Sequence, residues 1–63
     1  MTDEQHDTLE AIRENTRYVR LGPTVAELAH IFGLTERAVK KRLQGLRKMN
    51  VLEYDALGRD IVK

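Results

Sequence analysis

The segment Leu28–Leu46, LAHIFGLTERAVKKRLQGL, constrains the fold of this chain more than any other. Apolar residues recur at helical spacing on both sides of Gly33, and the pattern is interrupted at that glycine. Glycine enters the left-handed conformation at little cost, and Thr35 then offers an N-cap for a new helix. The segment therefore predicts two short helices joined by a tight turn, the second running from 35 to about 49.

Two faces of opposite character divide that second helix when each residue turns it by roughly 100°. One face is apolar and consists of Val39, Leu43 and Leu46. The opposite face is cationic or amide-bearing and consists of Arg37, Lys41, Gln44 and Lys48. The cations between the two faces are Lys40, Arg42 and Arg47. We expect the apolar face to be buried and the other to be free for a partner.

Charge is unevenly distributed along the 63 residues, whose net charge is only +1. Residues 1–14 carry five acids and one arginine, a net charge of −4. Residues 35–48 carry six lysines or arginines and one glutamate, a net charge of +5. A basic segment on a nearly neutral chain indicates a localised contact with a polyanion. The alternative is a solvated helix face. The acidic first segment is likewise interpreted as a solvated surface, with a surface for an acidic-patch partner or a mimic of DNA charge as the alternative.

A first helix is predicted over residues 3–20, begun by the capping box of Thr2 and Gln5. Its residues at core-facing spacing are Leu9, Ile12, Thr16 and Val19. Tyr18 lies off this stripe, and we expect it to lean on a neighbouring element or, alternatively, to anchor a second subunit. Leu21-Gly22-Pro23 ends the helix because glycine terminates helices and proline cannot continue one.

The second helix is predicted to begin at Thr24, with Glu27 as its capping-box partner, and to end at Gly33. Its apolar side consists of Val25, Leu28, Ala29 and Phe32. After the third helix, Asn50 suits a left-handed stop. Alternating residues over 51–55 and 60–63, around a turn that contains Gly58, then predict a β-hairpin. Its expected inward-facing residues are Leu52, Tyr54 and Ile61.

The order helix, helix, turn, helix, hairpin resembles the winged helix-turn-helix superfamily. The residues that carry the resemblance are VAELAHIFGL at 25–34, TERAV at 35–39, Leu43, Leu46 and NVL at 50–52. They are most similar to the DNA-binding domains of SOS-response repressors and of MarR-type regulators. The residues that match the family's small, turn-forming and packing positions are Ala29, Gly33, Leu34 and Val39. Asn50 departs from the glycine often found before the hairpin, and the wing is short.

The resemblance implies a mainly α fold with a small β-hairpin: one winged helix-turn-helix domain over 1–63, with three helices followed by a two-stranded wing. It also implies that helix 35–49 is a recognition helix in the major groove of DNA. Independently of family, a helix fits that groove and its N-terminal side chains reach base edges in helix-turn-helix docking. The expected function is therefore sequence-specific binding of double-stranded DNA by a small transcriptional regulator, such as a repressor of a phage or mobile element.

Base contacts are predicted for Arg37 with guanine, for Gln44 with adenine, and for Lys41 with guanine or phosphate. Phosphate contacts are predicted for Thr35, Lys40, Arg47 and Lys48. Arg59, in the 56–60 wing, is predicted to enter a minor groove or to touch a phosphate. A single domain reads few base pairs, so we expect a homodimer or cooperative assembly on DNA. The candidate contacts for a second copy are Tyr18, Val19 and Leu21.

Two other functions remain open at this point. Winged helices also bind proteins, so the chain could be an antirepressor or an inhibitor of another protein, and a DNA-bending or excision factor is a further alternative. Catalysis is not expected, because His6 and His30 fall on different predicted helices with no partner constellation. No spacing suits a metal, a cofactor or a small-molecule ligand. The absence of cysteine and of long apolar runs predicts a cytoplasmic protein. The resemblance to small regulators of phages and mobile elements implies a prokaryotic or viral origin.

Overall fold

Three helices followed by an antiparallel hairpin form the fold in the computed structural model, which describes residues 1–63. The helices are α1 (Asp3–Val19), α2 (Val25–Phe32) and α3 (Glu36–Lys48), and the strands are β1 (Leu52–Tyr54) and β2 (Asp60–Val62). In the hairpin Leu52 lies opposite Val62 and Tyr54 lies opposite Asp60. The predicted architecture, mainly α with a small two-stranded wing, is confirmed.

Each helix begins at a threonine whose hydroxyl oxygen accepts a hydrogen bond from a backbone N–H three residues later. The three donors are Gln5, Glu27 and Ala38, at 3.1, 3.0 and 3.2 Å from the oxygens of Thr2, Thr24 and Thr35. Gln5 and Glu27 also complete the two predicted capping boxes. These caps satisfy N–H groups that have no partner within their own helix, so local sequence alone determines where all three helices start.

The helices end in left-handed residues, two of which were predicted. Gly33 caps α2 with φ 64° and Asn50 follows α3 with φ 59°. The end of α1 differs from the prediction, because its left-handed cap is Arg20, with φ 64°, and not the glycine two residues later. Gly22 serves a different purpose: a Cβ atom there would lie 2.5 Å from the backbone oxygen of Asp60. Glycine is needed at 22 so that β2 can approach the α1–α2 loop.

The core comprises eight buried apolar residues: Leu9, Ile12, Leu28, Ala29, Val39, Leu43, Leu46 and Leu52. The predicted apolar face of α3 is confirmed, because Val39, Leu43 and Leu46 are at most 2% exposed. Leu28 and Ala29 bring α2 onto this face, and Phe32 is only partly buried against it. Burial of this seam leaves the opposite side of α3 facing outward.

Part of the predicted first-helix stripe is wrong. Leu9 and Ile12 are buried, but Thr16 is half-buried and Val19 is 57% exposed. Tyr18 is 78% exposed, so the expectation that it leans on a neighbouring element is also wrong. The reason is that helical periodicity gives the direction of a face but not the length over which other elements cover it.

The predicted inward face of the hairpin needs a similar correction. Leu52 is buried as expected, but Tyr54 is 61% exposed and Ile61 is only half-buried. Cross-strand pairing places Val62 opposite Leu52, and Val62 is the β2 residue that packs against the core. Tyr54 points to the same side as Leu52 but lies beyond the edge of the core, and Ile61 points to the other side because side chains alternate along a strand.

Candidate nucleic-acid interface

The outward side of α3 carries most of the residues predicted to contact DNA. The exposed members of that set are Thr35, Arg37, Lys40, Lys41, Gln44, Arg47 and Lys48. Arg59, in the wing, is half-buried. The buried seam of Val39, Leu43 and Leu46 accounts for this orientation, since it fixes which side of the helix the core occupies.

Five of these residues line one shallow depression: Arg37, Lys40, Lys41, Gln44 and Arg47. Val25, at the start of α2, completes its lining. The turn at Gly33 therefore brings the beginning of one helix beside the outer face of the next. Thr35, Lys48 and Arg59 lie outside the depression.

Four cations on α3 have no carboxylate within ion-pair distance: Arg37, Lys40, Lys41 and Lys48. The chain contains three ion pairs, which involve Arg13, Arg42 and Arg47. The exposed side of α3 is consequently a concentration of uncompensated positive charge on a chain whose net charge is +1. Such a surface attracts polyanions, because a bound cation releases the counterions condensed on a phosphate backbone.

Arg42 lies between the two faces of α3, and its side chain contacts other helices of the same chain. Its guanidinium carbon lies 5.4 Å from the centre of the Phe32 ring, and one nitrogen lies 3.9 Å from a Glu4 carboxylate oxygen. The side chain is thus directed toward α1 and α2 and is absent from the depression. It is structural, and it joins the acidic start of α1 to the basic helix.

Arg47 makes the most specific side-chain contact in the chain. Its Nε donates to Oδ1 of Asp60 at 2.9 Å and its Nη2 donates to Oδ2 at 2.6 Å. The hydrogen bonds to Asp60 raise the pKa of Arg47 above its ordinary value. Its guanidinium carbon also lies 5.8 Å from the centre of the Tyr54 ring. The phosphate contact predicted for Arg47 stays a prediction, and the guanidinium already holds a carboxylate.

Asp60 is a functional candidate that sequence reasoning missed. Its side chain is only 8% exposed, and it lies 13 residues from Arg47 in sequence. No local pattern links a residue near the end of a helix to one in a later strand. The one available indication was an acid at a position expected to be part of a short amphipathic strand, where a buried carboxylate requires a partner.

The wing is held against the α1–α2 loop by Asp55. Its carboxylate accepts hydrogen bonds from the backbone N–H groups of Gly22, Leu57 and Arg59 at 2.8, 2.9 and 2.9 Å. The bond from Gly22, followed by that from Arg59, lowers the pKa of Asp55. The Arg59 guanidinium lies 3.4 Å from the Gly22 carbonyl oxygen and so turns back toward the loop. The minor-groove or phosphate contact predicted for Arg59 stays a prediction.

The two histidines of the chain lie on different helices. His6 and His30 are exposed on α1 and α2 respectively. No group of three or more His, Asp or Glu side chains is arranged to hold a metal ion. None of the three helices combines the length and the apolar character that crossing a membrane requires.

Comparison with known proteins agrees with this geometry. Residues 1–57 match the family described as the LexA DNA binding domain, and the match covers all three helices, β1 and most of the wing turn. No curated protein matches the chain significantly, and no solved structure does. The three helices and the two-stranded hairpin are consistent with the winged-helix fold of this family. The chain therefore belongs to the LexA DNA-binding domain family.

Proposed function

We propose that this chain binds double-stranded DNA sequence-specifically, as a transcriptional regulator, with α3 inserted in the major groove. The observation that carries the proposal is the outer face of α3, where Arg37, Lys40, Lys41 and Lys48 are exposed and have no acidic partner. Family membership supports the same partner. A solvated helix face would not require these charges to share one side of a helix-turn-helix.

Within α3, the proposed roles follow position along the helix. Arg37 lies in the first turn, the part that reaches base edges in helix-turn-helix docking, and a guanidinium pairs bidentately with guanine. Gln44 is proposed to contact adenine and Lys41 to contact guanine or phosphate. Thr35, Lys40 and Lys48 are proposed to hold phosphates, which fix the register of the helix without reading sequence.

The wing, residues 56–60, is proposed to lie over an adjacent groove or the backbone. Residues 56–58 are exposed at its tip and include no cation. Arg59 would supply the positive charge from its present position beside Gly22. We propose a smaller electrostatic contribution from the wing than from α3 for this reason.

The salt dependence of binding tests the proposal directly. On a random duplex, Arg37 has no fixed guanine to pair with, so all four free cations of α3 are expected to neutralise phosphates. Four neutralised phosphates predict a slope of about −3.6 for log affinity against log salt, which is a loss of about 150-fold between 50 and 200 mM salt. Fluorescence anisotropy with a random-sequence duplex measures this slope without knowledge of the operator. Absence of binding at 50 mM salt would refute DNA binding and would leave the fold as a protein-interaction module.

Two alanine variants test the division of roles within α3. Arg37→Ala should reduce the preference for a selected operator over random duplex, because it removes a base contact. Lys48→Ala should weaken binding to both DNAs alike and lower the salt slope by about 0.9. Arg17→Ala is the matched control, since Arg17 is an exposed α1 cation without an ion-pair partner. Equal effects of the first two variants on both DNAs would contradict these roles.

We also propose that two copies assemble on DNA, because one α3 reads too few base pairs for useful specificity. Tyr18 and Val19 are the candidate contacts, at 78% and 57% exposed, and Leu21 beside them is half-buried. Sedimentation with and without an operator should show two copies per site. A Tyr18→Ser variant that assembles as the original chain does would exclude this contact.

A further inference from the structure

The Arg47–Asp60 pair occupies one edge of the guanidinium and leaves the other edge unbound. An arginine has five N–H groups, and this pair uses the one on Nε and one on Nη2. The Arg47 side chain is 43% exposed and lines the same depression as Arg37, Lys40 and Lys41. Arg47 thus lies on the proposed DNA-binding face while it is bonded to the wing.

A DNA phosphate cannot readily take Arg47 from Asp60. The Asp60 side chain is 8% exposed, and its two hydrogen bonds both come from Arg47. Removing the guanidinium would leave a charged carboxylate buried without a partner, and that is strongly unfavourable. The bidentate geometry at 2.9 and 2.6 Å is also among the stronger arrangements of such a pair.

The Arg47–Asp60 pair has no net charge, so Arg47 adds no net positive charge to the depression. Counterion release depends on the number of phosphates that free cations neutralise. The free cations of α3 are Arg37, Lys40, Lys41 and Lys48. Arg47 is not one of them, because its charge is balanced by that of Asp60 and the pair acts as a dipole. Binding to random DNA depends mainly on such charges, while operator binding also uses base contacts.

We propose that Asp60 masks Arg47 and so limits to four the phosphates that α3 neutralises, which sets the strength of electrostatic DNA binding. The proposal rests on the proposed DNA binding. Masking weakens binding to every DNA sequence alike, and it leaves a larger share of the operator affinity to base contacts. The wing thereby controls the charge of the recognition helix from outside it.

The test uses two variants of the full chain and a random-sequence duplex. Asp60→Asn removes the acid while keeping its size, so Arg47 becomes a fifth free cation. Its salt slope should steepen from about −3.6 to about −4.5, and its affinity loss between 50 and 200 mM salt should rise from about 150-fold to about 500-fold. A double variant, Arg47→Gln with Asp60→Asn, replaces the pair by neutral amides and should return the slope to the original value.

Opposite results separate the possibilities. Masking is overturned if the salt slope of Asp60→Asn is unchanged or shallower. It is also overturned if the salt slope of the double variant is shallower than that of the original chain by about 0.9, because Arg47 would then already hold a phosphate in the original chain. A purely structural role for Asp60 would lower the melting temperature without moving the slope. If Asp60→Asn does not fold, the double variant alone decides between masking and phosphate contact. Failure of the original chain to bind random duplex would refute DNA binding itself, which is a different outcome.

Discussion

Adding a single methyl group at Gly22 tests how closely β2 approaches the α1–α2 loop. A Cβ at this position would lie 2.5 Å from the backbone oxygen of Asp60, 2.9 Å from Cβ of Arg59 and 3.1 Å from Cγ2 of Ile61. The nearest of these atoms belongs to the backbone of β2, so no side-chain rotation relieves the clash. Gly22→Ala must therefore push the wing away from the α1–α2 loop and strain the bond from the Gly22 N–H to Asp55.

The magnitude follows from the cost of overpacking. Such insertions reduce the free energy of unfolding by about 1–3 kcal/mol, and contact with backbone favours the upper part of this range. The unfolding entropy of a chain of 63 residues is about 0.13 kcal/mol/K. The expected fall in melting temperature for Gly22→Ala is thus about 8–23 °C.

Gly45 provides a matched control, because the same substitution there should have the opposite sign. Its Cβ would meet only the side-chain nitrogen of Gln5, at 3.4 Å, which is an ordinary van der Waals contact. Alanine is favoured over glycine in a helix interior by up to about 1 kcal/mol. Gly45→Ala should raise the melting temperature by about 4–8 °C.

Thermal unfolding of both variants, followed by far-ultraviolet circular dichroism at equal concentration, measures the difference. Urea titration of the same samples gives the free energies at 25 °C. A Gly22→Ala chain as stable as the original would refute the close approach of β2 to the loop. Destabilisation by Gly45→Ala would show that the α1–α3 contact at Gln5 is tighter than 3.4 Å.

Three further predictions concern the core, a cap and the wing. Leu46→Ala should lower the free energy of unfolding by about 2–5 kcal/mol, because Leu46 is 0% exposed. Urea titration measures this loss, and a loss below about 1 kcal/mol would contradict the central position of Leu46 in the core. Thr35→Ala should lower it by about 1 kcal/mol through loss of the bond from the Ala38 N–H, and unchanged stability would show that the cap is dispensable. Asp55 has a lowered pKa in the folded chain, so the stability it contributes is present above the ordinary aspartate pKa of about 3.9 and is lost as pH falls through the folded value. Melting temperatures of Asp55→Asn and the original chain should therefore differ at pH 7 and converge at lower pH, and a difference that stays unchanged at low pH would contradict this role of Asp55.

Local physics accounts for the helices that the sequence predicted correctly. The three threonine caps, the left-handed residues at Gly33 and Asn50, and the apolar face of α3 all depend on neighbours within a few positions. Such interactions depend on short segments of the chain and can be predicted from the sequence without knowledge of the fold. They also determine which side of α3 carries the free cations.

Predictions failed where they required knowledge of what covers a surface. Val19 and Tyr18 continue a helix of the right type but lie where no other element covers them, and Tyr54 lies past the edge of the core. The same limit applies to Gly22, whose role is to admit β2 and not to end α1. The periodicity of a sequence does not show which other elements of the fold cover a given residue.

Helix spacing, capping and charge are local properties, so the helix-turn-helix, its basic face and the resemblance to DNA-binding domains were predictable without the fold. Which of the cations are free of an acidic partner depends instead on how the helices and the wing pack together. Arg42 is taken up by Glu4 and Phe32, and Arg47 by Asp60. Those partners are distant in sequence and are brought together by the packing of the helices and the wing. The Asp60 carboxylate is buried, so removing its cation would be strongly unfavourable.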